Sequence, residues 1–212
     1  MTSLTRAAAV IDIVDDVLFL AVGVDAAMER RGQYGQITVR VAAPTWFQYL
    51  GLTDSPAPVV VVRDELDDHV PTVLKARALA EEGVRTIVVA DGMTPVREAR
   101  LREEGVVEII TADRDLAALI DVIEEQAAVP AQAIRAVRRG PASGVALSDR
   151  QLQVACLFAA ASAPSTRLLS ETLNLPRDSV RTHLQRARAA LGVPGQSRDA
   201  LRLRLKDQGW IP

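Results

Sequence analysis

The sequence predicts two joined folds, a doubly wound α/β domain over residues 1–126 and an all-helical domain over residues 147–212. Three observations carry this. In the first part, short runs dense in Val and Ile alternate with longer amphipathic stretches. The run Gly140-Pro141-Ala142-Ser143-Gly144, dense in helix breakers, then interrupts the chain, and no β signal recurs after it. Charge divides in the same place. Residues 1–126 hold 12 Lys/Arg and 22 Asp/Glu, a net of -10, whereas residues 127–140 carry +3 and residues 141–212 carry +5, within an overall -2. An acidic front joined to a basic back suits a regulatory part tethered to a part that meets a polyanion.

Strands are expected at residues 8–13, 37–42, 59–62, 86–90 and 107–111, each rich in Val or Ile. Helical spacing lies between them. Val22, Ala26 and Met28 fall in one segment, and Leu74, Ala78 and Leu79 in another. Leu116, Leu119, Ile120 and Ile123, at i, i+3, i+4 and i+7, form a third. Strands apolar on both faces and alternating with helices indicate a parallel sheet covered on each side. Five such units in one domain fit a flavodoxin-like order. Residues 127–146 form a linker, in which residues 131–139 either extend the last helix or make a basic connector. Beyond it, Ser148 with Gln151 makes a capping box ahead of Leu152, Val154, Ala155 and Leu157. A short helix at 166–173 follows, then the turn Asn174-Leu175-Pro176-Arg177. Asp178 or Ser179 caps a third helix that runs through Ala190 and is closed by Gly192, and a fourth spans 197–206.

Composition narrows the classes. An apolar content of 49% supports packed cores, and the single cysteine, Cys156, excludes a disulfide framework and a cysteine-rich zinc site. Its expected role is a small buried hydrophobe. The N-terminus lacks a signal-peptide pattern, and the apolar runs at 17–24 and 59–62 are too short to span a bilayer. A cytoplasmic protein with no membrane partner and no cofactor is expected.

The third helix of the second domain carries the functional signal. Val180, Leu184, Ala187 and Leu191 fall on one stripe, and the opposite face presents Arg181, Thr182, Gln185 and Arg188, with Arg186 on the flank. Arginine and glutamine make paired hydrogen bonds to base edges in a major groove, and arginine also holds phosphate. A short helix, a tight turn and such a helix make up a helix-turn-helix. The segments Leu147-Ser148-Asp149-Arg150-Gln151-Leu152-Gln153-Val154, Leu168-Leu169-Ser170-Glu171-Thr172-Leu173-Asn174-Leu175, Ser179-Val180-Arg181-Thr182-His183-Leu184 and Ala190-Leu191-Gly192-Val193 resemble, in order, the LuxR-type (NarL/FixJ-like) helix-turn-helix. The loop at Ser162-Ala163-Pro164-Ser165 is about two residues longer than usual for the family. The resemblance implies base contacts from Arg181, Thr182 and Gln185, and phosphate contacts from Thr166, Arg167, Ser179 and Arg188. It implies a packing or capping role for His183. It also implies a homodimer on double-stranded DNA, paired through residues 199–205.

A five-unit doubly wound domain ahead of such a module resembles a response regulator of the two-component kind. The opening Ile13-Val14-Asp15-Asp16-Val17-Leu18-Phe19-Leu20-Ala21-Val22-Gly23-Val24 matches, with the acidic pair that in receivers helps hold a magnesium ion. Val59-Val60-Val61-Val62-Arg63-Asp64-Glu65 makes Asp64 the candidate phosphoryl acceptor. Other parts are missing. Ala90 stands where a Thr or Ser senses the phosphoryl group, Ile109-Ile110-Thr111-Ala112-Asp113 offers no lysine, and Leu66-Asp67-Asp68-His69 replaces the usual Met-Pro-Gly loop. The expectation is an atypical receiver in which Asp15, Asp16 and Asp64 form a vestigial acidic pocket and control does not run through phosphorylation. The domain then serves dimerisation, or binds a small molecule or protein at the carboxyl ends of its strands. Asp64, Glu65, Asp67 and Asp68 read as a solvated acidic loop there.

Competing readings are a conventional regulator using Asp64, and a protein-interaction module whose arginine face binds an acidic partner. Catalysis is not expected. Asp12-Ile13-Val14-Asp15-Asp16 has the wrong spacing for a haloacid-dehalogenase nucleophile, there is no Gly-rich phosphate loop, and His69 and His183 fall in different domains.

Overall fold

The computed structural model describes residues 9–17, 19–30, 37–64, 66–111, 116–129 and 147–212. Five strands form where the β-branched runs lie: β1 (Ala9–Val14), β2 (Ile37–Ala43), β3 (Val59–Arg63), β4 (Arg85–Ala90) and β5 (Val106–Thr111). All pair in parallel, in the order β2-β1-β3-β4-β5. This is the flavodoxin-like order expected from sequence. Five helices alternate with them: α1 (Phe19–Arg30), α2 (Trp46–Leu52), α3 (Thr72–Glu81), α4 (Pro95–Glu103) and α5 (Leu116–Ala128). The α5 helix continues two residues into the expected linker. Residues 130–146, including the 131–139 segment and the Gly140 to Gly144 break, lie outside the described residues, as do Glu65, Ala112 and Asp113.

Alternation along each strand builds two cores. Val59 and Val61 of β3 join Ile11, Ile13, Ile87 and Val89 on one face, which is covered by Val24 of α1 and by Leu119, Ile120 and Ile123 of α5. Val60 and Val62 point the other way, with Val14, and pack on Trp46 and Tyr49 of α2 and Leu79 of α3. Asp12 of β1 is buried on this side. Its carboxylate accepts hydrogen bonds from Arg40 (Nε 3.0 Å, Nη2 2.6 Å), Tyr49 Oη (2.9 Å) and the Ala57 amide (2.8 Å). Burial raises the Tyr49 pKa, so the phenol stays a donor. Asp12 is thus a structural acid.

The helical part contains α6 (Asp149–Ala159), α7 (Thr166–Thr172), α8 (Arg177–Ala190) and α9 (Arg198–Asp207). Side-chain caps set three of the starts. Ser148 and Gln151 form the expected capping box, Ser165 accepts from the Leu168 amide, and Ser197 accepts from the Ala200 amide. The α8 start differs from expectation. Pro176 takes the cap position and its carbonyl accepts from the Val180 amide, so Asp178 and Ser179 lie in the first turn.

One hydrophobic core runs through both parts. It joins Leu152, Leu184, Leu191, Leu201 and Leu205 of the helical part to Val73 and Ala76 of α3 and Leu101 of α4. The chain leaves α9 through Gly209, whose φ of +71° favours glycine and whose Cβ position lies 2.5 Å from the Val96 carbonyl oxygen. A shared core predicts a single unfolding transition for the native protein. Gly209→Ala should cost about 1–3 kcal/mol from the left-handed backbone and the collision, and should split the calorimetric transition in two. An unchanged single transition in that variant would disprove the close docking.

Candidate nucleic-acid interface and strand-end charge pocket

On α8, Val180, Leu184 and Ala187 are buried, which leaves Arg181, Thr182 and Gln185 exposed on the opposite side. Thr182 Oγ1 donates to the Asp178 carbonyl at 2.8 Å, and Arg181 Nη1 lies 3.4 Å from Asp178 Oδ1. Both partners of that ion pair are exposed, so it is weak and breaks readily for another acceptor. A shallow groove of about 390 Å³ is lined by Thr166 at the start of α7, Arg181, Gln185, Arg188 and Phe158. Arg188 is half-buried, with its guanidinium 5.2 Å from the Phe158 ring centroid, and Arg198 lies 4.1 Å from the same centroid. Arg167 is exposed on α7, 3.9 Å from Glu171. Ser179 and Thr182 do not line the groove. His183 is half-buried and packs within the helices, its Nδ1 without a hydrogen-bond partner among the described residues.

At the carboxyl ends of the strands the acids separate into two sets. Asp15 is buried behind β1, and its Oδ2 accepts from the Leu20 amide at 3.3 Å. Arg63, at the end of β3, reaches toward Asp15 (3.9 Å) and the exposed Asp16 (3.8 Å) and bonds Asp91 at 3.0 Å. A guanidinium therefore stands among the carboxylates that would serve a magnesium ion, and the residues present do not fit one. Among the described residues no group of three acidic, histidine or cysteine side chains is placed to hold a metal.

Asp64 belongs to the second set. Its amide donates to the Val89 carbonyl, and its carboxylate is 4% exposed, with Oδ1 2.8 Å from Nη2 of Arg97. Arg97, itself 3% exposed, uses Nη1 to donate to the carbonyls of Gly209 (3.0 Å) and Trp210 (2.8 Å) beyond α9. Arg100 adds a bond to the Gln208 carbonyl (3.2 Å) and lies 4.2 Å from the Trp210 ring centroid. Further cross-links join Arg77 of α3 to Asp149, and Gln153 Nε2 to the His69 carbonyl (3.0 Å).

The expected solvated acidic loop is corrected by this geometry. Asp64 and Asp68 are buried and Asp67 is exposed. Asp68 Oδ2 lies 2.7 Å from Lys75 Nζ and accepts from the Trp46 amide. Burial pulls the Lys75 pKa down, against the pull of Asp68 and Asp64. Ala90 ends β4 and is buried. Sequence reasoning missed Arg97, Lys75 and the tail. Thr94-Pro95, a cap followed by proline, could have located α4, but nothing in the sequence marks which of its arginines turns inward.

No family model matches the chain, and no curated protein matches it. Solved structures do. The RcsB response regulator of Salmonella typhimurium is 16% identical, covering 95% of this chain and 98% of that chain with a TM-score of 0.56. RcsB from Salmonella enterica serovar Typhimurium bound to promoter P1flhDC is 15% identical, covering 94% and 98%, with a TM-score of 0.55. A structure of two RcsB dimers bound to two parallel DNAs is 16% identical, covering 93% and 98%, with a TM-score of 0.53. The chain therefore has the fold of a full-length response regulator, a doubly wound domain followed by a helix-turn-helix domain.

Arg97→Ala would leave Asp64 buried without its cation and should lower stability by about 3–5 kcal/mol in urea titrations. The apolar pair Arg97→Met with Asp64→Leu should recover a large part of that loss. A single variant within about 1 kcal/mol of the parent would show the pair to be hydrated.

Proposed function

We propose that the chain is a sequence-specific DNA-binding transcriptional regulator built as an atypical response regulator, with control that does not run through phosphorylation of Asp64. The division is residues 1–126 for the receiver-like domain, 127–146 for the linker and 147–212 for the DNA-binding domain. The observation that carries the reading is the exposed face of α8. Arg181 and Gln185 project from a helix whose opposite side is fixed in a core, in a fold shared with a regulator solved on promoter DNA. Arg181, Thr182 and Gln185 read bases, while Thr166, Arg167, Ser179 and Arg188 meet phosphates. Two copies pair through residues 199–205, where Leu203 stays exposed. The reading assigns no catalysis and a cytoplasmic location, beside the DNA it binds. Among the described residues no helix is long and apolar enough to cross a membrane.

Phosphorylation-independent control is supported by the two arginines. Arg63 stands among Asp15, Asp16 and Asp91, and Arg97 holds the buried Asp64. A phosphoryl donor needs an open carboxylate as nucleophile, and the Asp64 carboxylate is buried and held by Arg97.

Unphosphorylated full-length protein should retain a shared inverted motif from sheared genomic DNA. Arg181→Ala and Gln185→Ala should each weaken binding to it by about 5- to 150-fold and relax sequence preference. Arg167→Ala should weaken all sequences alike and reduce the salt slope by about one. Unchanged affinity and preference in Arg181→Ala would assign the arginine face to a protein partner. Acetyl phosphate with magnesium should change neither the mass nor the affinity. A phosphoryl adduct at Asp64 that tightens binding would restore conventional control.

A further inference from the structure

We infer that the cleft between the α/β and helical parts is a binding site for a small organic anion with an apolar body. The cleft has a volume of about 550 Å³, within the range of roughly 300–1,000 Å³ for small-molecule sites. Both parts of the chain line it. Leu66 and Val70 contribute apolar surface from one side, and Leu157, Leu168, Leu169 and Trp210 from the other. Such walls take a hydrocarbon or aromatic body.

The charges select its sign. Arg202 and Lys206 lie one turn apart on α9, both line the cleft, and neither is in an ion pair among the described residues. Arg97 lines the cleft as well. Its two terminal nitrogens are committed to Asp64, Gly209 and Trp210, but its Nε is buried with no hydrogen-bond partner among the described residues. That nitrogen has no accessible surface, so Arg97 offers the cleft a wall whose charge Asp64 already offsets, and the α9 cations are the ones open to a ligand. Of the two acids lining the cleft, Asp64 is already held by Arg97 and Asp67 is exposed to solvent. With Arg97 and Asp64 offsetting each other, the two α9 cations against one rim carboxylate favour an anionic headgroup.

Occupancy of this site bears on both parts at once. A ligand touching Leu66 and Val70 on one side and the α9 cations on the other binds surfaces that meet only while the parts are docked, so it stabilises the docked arrangement by its differential affinity. The inference does not depend on DNA binding and is measured without DNA.

The test uses full-length protein and two fluorescent probes, the anion 8-anilinonaphthalene-1-sulfonate and its neutral analogue N-phenyl-1-naphthylamine. The sulfonate should saturate at one site per chain, and the neutral probe should bind about tenfold more weakly. Arg202→Glu with Lys206→Glu should weaken the sulfonate by about tenfold or more while leaving the neutral probe within about twofold. Ala161→Trp, which fills the cleft from its exposed edge, should remove binding of both probes. Thermal unfolding and far-ultraviolet dichroism like the parent's establish that each variant is folded. Leu50→Ser controls for the exposed apolar face of α2 and should change nothing. Sulfonate binding that survives Ala161→Trp, or that is lost in Leu50→Ser, would overturn the proposal.

Discussion

A buried guanidinium must find acceptors or the fold carries its full desolvation penalty. Arg97 finds three, and they come from distant parts of the chain: Asp64 at the end of β3, and the carbonyls of Gly209 and Trp210 beyond α9. The first turn of α4 brings Arg97 to this point, fixed by the Thr94 cap and Pro95. Gly209 makes the approach of the tail sterically feasible, since its backbone conformation and lack of Cβ let the carbonyls come against α4. Docking of the helical part and the state of Asp64 are therefore one structural matter. A carboxylate that left Arg97 would leave behind a buried cation bonded to the tail.

The same logic runs through the acidic half of the molecule. Its net charge would be a liability if its buried acids were unpaired, yet four of them each meet a cation. Asp12 has Arg40, Asp68 has Lys75, Glu104 has Arg77 and Asp64 has Arg97. Arg63 approaches Asp15 more loosely while bonding Asp91 at the surface. At the strand ends two of these cations, Arg63 and Arg97, stand against Asp15, Asp16 and Asp64. Pairs of this kind contribute little net stability over apolar packing, but losing one partner is expensive. They constrain geometry more than they add stability.

The sequence disclosed the fold because the fold rests on periodic signals. Val59 to Val62 reads as a strand apolar on both faces, and in the structure its alternate residues enter two different cores. The Ser148 and Gln151 capping box and the α8 stripe were legible for the same reason, being local in the chain. The short polar helix α4 was not, because only Arg97 and Leu101 of it are buried. The strand-end charges were misread for a related cause. Asp64 and Asp68 stand in a run of acids that looks solvated, and the cations that bury them, Lys75 and Arg97, lie 7 to 33 residues away. Long-range pairing leaves no periodic trace.

Docking leaves the α8 face free. The cross-links use Asp149 and Gln153 in the first half of α6 and the tail after α9, while Arg181, Thr182 and Gln185 stay exposed on another side of the helical part. The arrangement therefore does not act by covering the residues proposed to read DNA. Under the proposed pairing, what it can set is the placement of one helical part relative to a second copy, because α9 would then serve two neighbours. Leu201 and Leu205 face its own core, Arg202 and Lys206 face the cleft, and Leu203 remains open for pairing. A ligand in the cleft would bear on the helix through which two copies are proposed to pair, and thereby on the spacing of two recognition helices. On a palindromic site that spacing decides whether both helices engage at once, so a modest shift at α9 would change affinity without altering any base contact.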